Sequence, residues 1–481
     1  MLGLGSGYLQ KLIQIGTTII VVPLLISDMA LGLSGYGQLM TLLTVMAFFS
    51  MVLDGLRLSV SRKVGQQSSS KDHGLGISVV AMMLALFLPI LILALYGNEI
   101  YVFVGLGNIA SGIILLSVIF LFSEQLNYVL EQYYHSSGLT WKVNSITMIE
   151  VVVRFLVICV AIFSYQFSIL TYLFIFAVIY LLKLMYFIFD LFSMKVFSSD
   201  FFNVDKKELS EIFKYSFPLS LKGVATFFVY RFGVIVCNKT IGPDAAAVYS
   251  LIFTTIKNYL GQIFVAVLRP MVIPITAAKN IKIISKESQQ SIRSLLRVYE
   301  FFVVGAIFIV AFCTDYWLEL WLGDKFMAYS ALFALSIMVV SLEVVSGVKA
   351  LLLVSQGYGK SLSFYSLFFA LVLMSMLFFI MATEMYASID VIIYITLAYI
   401  LAFNGVALMK LFKNRLSSID YDSYILKLMM YVCSASSYFY FHEMSMVLAF
   451  LIGVTVYVIM SFFVFKGIFS DFRFVFKLFL R

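Results

Sequence analysis

Long apolar runs alternate with short polar turns along nearly the whole chain. A membrane-spanning helix needs about 20 mostly apolar residues. Runs of that kind predict about fourteen spans, which begin near Tyr8, Gln38, Leu75, Asn108, Asn144, Ser168, Tyr215, Ala245, Leu295, Ala328, Ser361, Ile389, Ile425 and Met446. The pattern therefore predicts an all-α polytopic membrane protein, in which no loop is long enough to fold as a separate domain.

Composition agrees with a chain that is solvated by lipid. Hydrophobic residues make up 62% of the 481 positions and charged residues only 12%, whereas soluble domains are about half apolar and about a quarter charged. The four cysteines lie singly in apolar stretches and the three histidines lie in predicted loops on both sides. We therefore expect no disulfide framework, no metal site and no cofactor.

The formal charge of +8 is explained by topology rather than by nucleic acid binding. When the turns are assigned to alternate sides of the membrane, almost all loop Lys and Arg residues fall on one side. In the turns on the opposite side, the only basic residues are Lys239 and Lys325. Because basic loops stay in the cytoplasm, this asymmetry predicts an even number of spans with both termini cytoplasmic. We expect no nucleic acid partner.

A weak internal repeat divides the chain near Lys206. Leu31-Gly32 is followed by Tyr36-Gly37, and Ile241-Gly242 is followed by Tyr249, each in the outer turn after the first span of a half. The predicted regions are an N-terminal six-helix bundle over 1–200, a C-terminal six-helix bundle over 206–415, and two additional helices with a basic cytoplasmic tail over 420–481. Parallel repeats of this kind are typical of alternating-access transporters.

Ionisable residues inside the predicted spans are the candidate functional residues, because a charge at bilayer depth is costly unless it is paired or hydrated. The cations that we predict to line a cavity for an anionic substrate are Arg231, Lys257, Lys222, Arg154, Lys349, Arg57 and Lys11. The acids that we consider as ion-pair partners or coupling groups are Asp54, Glu150 and Glu343.

Several of these cations also have a structural interpretation. Lys11 and Arg57 are within about two turns of the predicted cytoplasmic end, where long side chains can reach the headgroups. Glu150 and Arg154 are spaced i, i+4 and share one helix face, so an ion pair and a substrate contact are both consistent with the spacing.

Arg231 and Lys257 are deeper in their predicted spans. Arg231 is too deep to reach the cytoplasmic surface, and it either faces a hydrated cavity or pairs with an acid such as Glu343. Lys257 has no acid at i±3 or i±4. Arg and Lys in a cavity suit an anionic substrate, and a guanidinium group matches phosphate oxygens in a bidentate fork.

Short motifs in a fixed order resemble one transporter family. They are Pro23, Gly35-Tyr36-Gly37, Asp54-Gly55 before Ser61-Arg62, Phe217-Pro218, Ile241-Gly242 with Tyr249, and Trp321-Leu322-Gly323 followed by Ala331 and Leu332. Over spans 1 to 12 the chain resembles the polysaccharide transporters, the Wzx-type oligosaccharide-lipid flippases of the MOP superfamily.

The resemblance implies paired six-helix bundles that move an undecaprenyl-diphosphate-linked oligosaccharide, such as an O-antigen or other surface polysaccharide repeat unit, to the periplasmic leaflet of a bacterial inner membrane. Implied partners are membrane lipid, a polysaccharide polymerase and a chain-length protein.

Two features depart from the family. Many relatives have an acid near the position of Arg231, which leaves ion coupling open. Spans 13 and 14 resemble the fourteen-span members, including the lipid II flippase, so peptidoglycan precursors and teichoic-type units also remain open.

Two other functions are consistent with an apolar polytopic chain. A multidrug and toxin extruder of the same superfamily is expected to carry cationic drugs in a net acidic cavity, which the deep basic residues disfavour. A membrane glycan polymerase or glycosyltransferase is expected to carry catalytic residues in a substantial outer loop, whereas the outer turns here have about a dozen residues or fewer, near the usual connector length.

Overall fold

The fold is all-α, as shown by a computed structural model of the chain. The structure describes residues 2–473, with gaps at 58–70, 108–110, 165–166, 197–200, 202–204, 258, 262–285, 356–357, 384, 386, 409, 412–423, 443–445, 465–469 and 472. Among these residues there is no strand, and ten helical segments are long and apolar enough to cross a membrane. The prediction of an all-α polytopic membrane protein is therefore confirmed.

The helices begin close to the positions that the apolar runs predict. The first nine are α1 Leu2–Ile26, α2 Gly32–Val52, α3 Lys71–Phe103, α4 Ser111–Ser136, α5 Thr140–Ser164, α6 Ile169–Ser193, α7 Lys206–Tyr230, α8 Phe232–Thr240 and α9 Pro243–Ser250. The others are α10 Lys286–Phe312, α11 Thr314–Leu322, α12 Ser330–Ser355, α13 Gly359–Thr383, α14 Ile389–Ile400, α15 Tyr424–His442 and α16 Met446–Val464.

Several predicted spans are not regular α-helices, and the third is kinked at Tyr96 in α3. The seventh is interrupted at Arg231, which separates α7 from α8. The eighth continues from α9 into a π-helix over Leu251–Ile256, and α14 continues into a π-helix over Leu401–Leu408. Such π-helical turns are rare and occur frequently at functional sites. The break at Arg231 and the two π-helices are therefore places where the fold departs from simple membrane spans.

The chain forms two compact units. Unit 1 comprises residues 1–250 with 374–389. In unit 1, α4 packs against α3 and α6, α1 packs against α5, and α2 packs against α7, α8 and α9. Unit 2 comprises residues 251–373 with 390–481. In unit 2, α10 packs against α12, and α15 and α16 pack against each other, with α16 also contacting α10. The bundle boundaries inferred from the internal repeat remain a prediction.

Gly37 in α2, and Gly55 just beyond its C-terminal end, allow a close approach to other backbones within unit 1. A Cβ added at Gly37 would overlap the carbonyl oxygen of Pro243, and one added at Gly55 would overlap that of Ser216. Neither clash can be relieved by turning a flexible side chain, because the obstructing atoms belong to the backbone. These two positions therefore require glycine for close packing.

Replacing Gly55 with Ala is expected to destabilise the protein, because the backbone at Gly55 must move away from that of Ser216. Overpacking of this kind costs about 1–3 kcal/mol. Gly16 in α1 is the matched control, since an added Cβ there meets nothing within 4 Å. In detergent, the Gly55→Ala protein should unfold at a lower temperature than the wild type, and the Gly16→Ala protein should not. Equal midpoints for both variants would contradict the close approach.

Candidate functional site

The first group of buried charges in unit 1 joins α2 to α4, and we call it the α2–α4 cluster. Arg57 Nη1 is 2.9 Å from Asp54 Oδ1, and Arg57 Nε donates to Gln125 Oε1 over 2.9 Å. Arg57 Nη2 is 3.6 Å from Glu124 Oε2. Ser50 Oγ donates to the same Glu124 oxygen over 2.6 Å. Asp54, Arg57, Glu124, Gln125 and Ser50 therefore form one connected polar network.

Two more cations are associated with the α2–α4 cluster. Lys222, on α7, is within electrostatic range of Asp54. Arg231 is within electrostatic range of Glu124 and Asp54. With Arg57, the cluster therefore contains three cations and two carboxylates, a net formal charge of +1.

Arg231 occupies an unusual position on the backbone. It ends α7 and precedes α8, with φ −118° and ψ −31°, and its amide donates to the carbonyl of Phe227. Within the described residues its guanidinium makes no hydrogen bond and no ion pair at contact distance. A half-buried guanidinium is normally hydrogen-bonded when it is desolvated. Arg231 therefore retains the capacity to bind an anion.

A second group of charges in unit 1, the α4–α6 cluster, is internally neutralised. Lys183 Nζ is 2.7 Å from Glu131 Oε1 and 2.8 Å from Glu150 Oε2. Arg154 Nη1 donates to Glu150 Oε1 over 3.0 Å, and its guanidinium lies 4.6 Å from the ring centroid of Phe176. Two acids thus match two bases. The ion pair consistent with the i, i+4 spacing of Glu150 and Arg154 is present.

Lys11 is at the margin of the α4–α6 cluster. Its Nζ donates to Gln14 Oε1 over 3.3 Å, and it is within electrostatic range of Glu131. The structure therefore places Lys11 and Arg154 beside acids of the same cluster.

The two candidate lysines of unit 2 are each paired with an acid. Lys257 Nζ is 3.1 Å from Glu343 Oε1, and Lys349 Nζ is 2.7 Å from Glu300 Oε1. The two pairs differ in exposure. The side chains of Lys257 and Glu343 are 15% and 24% exposed, whereas those of Lys349 and Glu300 are 2% and 4% exposed. The Lys257–Glu343 pair is therefore partly exposed, and the Lys349–Glu300 pair is buried.

The predicted site residues thus fall into separate groups. Arg57, Lys222 and Arg231 belong to the α2–α4 cluster, with Asp54. Within unit 2 the ion-pair partner of Glu343 is Lys257, and the alternative pairing of Glu343 with Arg231 stays a prediction. In the part of the chain that the structure describes, no group of three or more His, Cys, Asp or Glu residues could hold a metal ion.

The sequence pattern did not select Glu124, Glu131, Lys183 and Glu300, which pair with the candidate charges or with each other, and it did not select the neutral polar residues of the site. Gln125 bridges Arg57, Glu124 and Ser50 in unit 1. In unit 2, Asn404 accepts a hydrogen bond from Ser346 Oγ over 2.9 Å. Asn404 has apolar neighbours and a glycine in the sequence, whereas Gln125 lies beside Glu124 and near Asn127. A buried polar side chain in a predicted span is the signal that could have identified them.

Comparison with solved structures shows the same fold. The lipid II flippase MurJ in an inward closed conformation is 10% identical, over 96% of this chain and 98% of that chain, with a TM-score of 0.62. An inward-facing multidrug resistance MATE family transporter of the MOP superfamily is 11% identical, over 85% and 98%, with a TM-score of 0.58.

A MOP superfamily transporter from Pyrococcus furiosus, described by a reversed polarity of its binding pocket, is 13% identical, over 87% of this chain and 96% of that chain, with a TM-score of 0.53. At such identities the likeness concerns the fold alone. No curated protein sequence matches the chain. The sequence model of the family described as polysaccharide biosynthesis protein matches residues 4–276, which is more than half of the chain. With that match and this fold, the chain belongs to the polysaccharide biosynthesis protein family and is a multi-pass membrane protein of the MOP-superfamily fold.

Proposed function

We propose that this protein is a flippase for an oligosaccharide carried on undecaprenyl diphosphate. It moves this lipid from the cytoplasmic to the periplasmic leaflet of a bacterial inner membrane by alternating access, with both of its termini in the cytoplasm. Membership of the polysaccharide biosynthesis family and the transporter fold support the proposal. The observation that carries it is the guanidinium of Arg231, which makes no hydrogen bond among the described residues within a cluster of net positive charge.

The chemistry of the diphosphate suits this cluster. A guanidinium group offers a planar fork of N–H donors that matches two phosphate oxygens, and such charge-assisted hydrogen bonds are about twice as strong as neutral ones. Arg231 has this capacity available, whereas Arg57 already donates to Asp54 and Gln125. In the proposed mechanism Arg231 binds the diphosphate, the glycan passes through water, and the polyprenyl tail stays in lipid.

The membrane potential supplies a driving force for this direction of transport. With the cytoplasm negative, outward movement of an anion is favoured by about 2.3 kcal/mol per charge per 100 mV. A surface polysaccharide polymerase and a chain-length protein would act on the delivered repeat unit, and O-antigen is one such product. A multidrug extruder is the alternative transporter, although a cluster of net positive charge does not suit a cationic drug.

Deleting the gene tests the proposal. We expect lipid-linked repeat units to accumulate on the cytoplasmic side, where a glycosidase added to intact spheroplasts cannot digest them, and surface polysaccharide to be lost. The wild-type gene should restore both. Normal surface polysaccharide together with new sensitivity to cationic drugs would contradict the flippase and favour the extruder.

A further inference from the structure

Only one of the two carboxylate oxygens of Glu343, in unit 2, has a polar partner among the described residues. Its Oε1 is 3.1 Å from Lys257 Nζ. Its Oε2 is buried and has no hydrogen-bond partner among the described residues. A buried carboxylate oxygen without a partner costs free energy, and each such group in a native structure requires an explanation. A purely structural ion pair would be expected to satisfy both oxygens, so this carboxylate keeps hydrogen-bonding capacity that the pair with Lys257 does not use.

The backbone around this pair also departs from regular helix. Lys257 follows the π-helix Leu251–Ile256, and Asn404 lies in the π-helix Leu401–Leu408, both of which pack against the α12 helix that carries Glu343. Asn404 is 3% exposed, and its Nδ2 has no hydrogen-bond partner among the described residues. A second buried polar atom without a partner among the described residues, Asn404 Nδ2, therefore lies on an element that packs against α12. The Lys257–Glu343 pair is also more exposed than the Lys349–Glu300 pair.

Further charged and titratable groups lie on the elements packed against α12. On α10 they include Glu300, which is paired with Lys349, and Arg297, which is paired with Asp471. Tyr399, just before the π-helix Leu401–Leu408, is within electrostatic range of Glu343. Lys257 is the only cation at ion-pair distance from Glu343 among the described residues. The charge balance of Glu343 therefore depends on Lys257.

We propose that Glu343 is an internal counter-anion that occupies Lys257 when the carrier is empty and is displaced when an anionic ligand binds. This inference rests on the proposed function, because it requires an anionic substrate. With ligand bound, the ammonium of Lys257 contacts the ligand's phosphate oxygens. Without ligand, the carboxylate of Glu343 supplies the negative charge beside Lys257 while the empty protein changes conformation. Glu343 thus sets the affinity for the anion and permits its release.

The test is a binding measurement on the full-length protein in detergent, with farnesyl diphosphate as the anionic probe and farnesol as the neutral control. We expect Glu343→Gln to bind farnesyl diphosphate at least tenfold more tightly than the wild type, because the competing carboxylate is gone. Farnesol binding should not change. Glu343→Asp, a shorter competitor for Lys257, should give an intermediate affinity. Transport by Glu343→Gln should nevertheless be slower, because ligand release is slower.

Two further variants make the result specific. Lys257→Ala should weaken binding, and adding Glu343→Gln to it should give no further change, because the two groups act on one another. Glu319→Gln removes an equivalent acid from an exposed position on α11 of the same unit and should bind as the wild type does. These two controls separate competition at Lys257 from a general change in charge.

The outcomes that overturn the inference differ from those that overturn the proposed function. If the wild type binds farnesyl diphosphate and Glu343→Gln binds it equally or more weakly, Glu343 is a structural partner and the inference fails while the flippase assignment stands. If neither the wild type nor Glu343→Gln distinguishes farnesyl diphosphate from farnesol, recognition of the diphosphate is absent and both proposals fail.

Discussion

Replacing Arg231 with Ala is expected to reduce transport at least tenfold while the protein reaches the membrane in normal amounts. The substitution removes the guanidinium that has no hydrogen bond among the described residues, so the folded protein loses no such contact. The bound diphosphate, in contrast, loses a charge-assisted fork, and about 1.4 kcal/mol corresponds to one decade. The measurement is restoration of surface polysaccharide in the deletion strain, with protein abundance followed in parallel.

Two other substitutions make this result specific to Arg231. Arg231→Lys keeps the charge and loses the fork, so it should retain part of the activity. Lys239→Ala removes a positive charge from an exposed position on the adjoining helix α8 and should complement fully. If Arg231 instead serves only to neutralise Glu124, Arg231→Ala should lower abundance and Glu124→Gln should restore it. Full complementation by Arg231→Ala would contradict the cationic site.

Among the substitutions described for this protein, Lys183→Ala is expected to cause the largest loss of folding stability. Lys183 is 5% exposed and contacts the carboxylates of Glu131 and Glu150. Removing it leaves two acids in the interior of unit 1 with Arg154 as the remaining contact cation. Breaking a buried ion pair from one side costs about 3–5 kcal/mol. Membrane abundance and the unfolding temperature in detergent should both fall.

The reason for that loss can be checked by removing the stranded charges. Lys183→Ala combined with Glu131→Gln should recover part of the abundance, because one uncompensated carboxylate is eliminated. Lys214→Ala, which removes an exposed lysine of α7, should leave abundance unchanged. A Lys183→Ala protein as abundant as the wild type, without compensation, would contradict the neutralising role of Lys183.

The helices could be predicted from the sequence because the bilayer requires each span to be a long apolar run with its hydrogen bonds inside it. The starts of α2, α6 and α12 accordingly lie near the predicted positions. The break at Arg231 and the two π-helices could not be predicted, because apolar periodicity contains no information about where one backbone hydrogen bond is lost or lengthened. Arg231 was identified as a candidate by its charge and its depth in the predicted span, and not by the backbone break.

The partners of the candidate charges were predictable within one helix and unpredictable across helices. The i, i+4 spacing of Glu150 and Arg154 identified a possible ion pair that is present at 3.0 Å. The pairing of Lys257 with Glu343, by contrast, depends on how two helices are rotated toward one another. A one-residue rotation turns a helical side chain by about 100°, so sequence depth alone could not distinguish Glu343 from Glu300 as the partner of Lys257.

The net positive charge of the α2–α4 cluster also has a consequence for the electrical integrity of the membrane. A carrier that hydrates a sugar chain must admit water, and water lets hydronium and sodium ions through unless something repels them. Fixed arginine charges beside a water path exclude protons and other cations in membrane channels. Arg57, Lys222 and Arg231 outnumber Asp54 and Glu124. In the proposed flippase, the same excess of positive charge that suits a diphosphate would therefore preserve the ion gradients of the cell during transport.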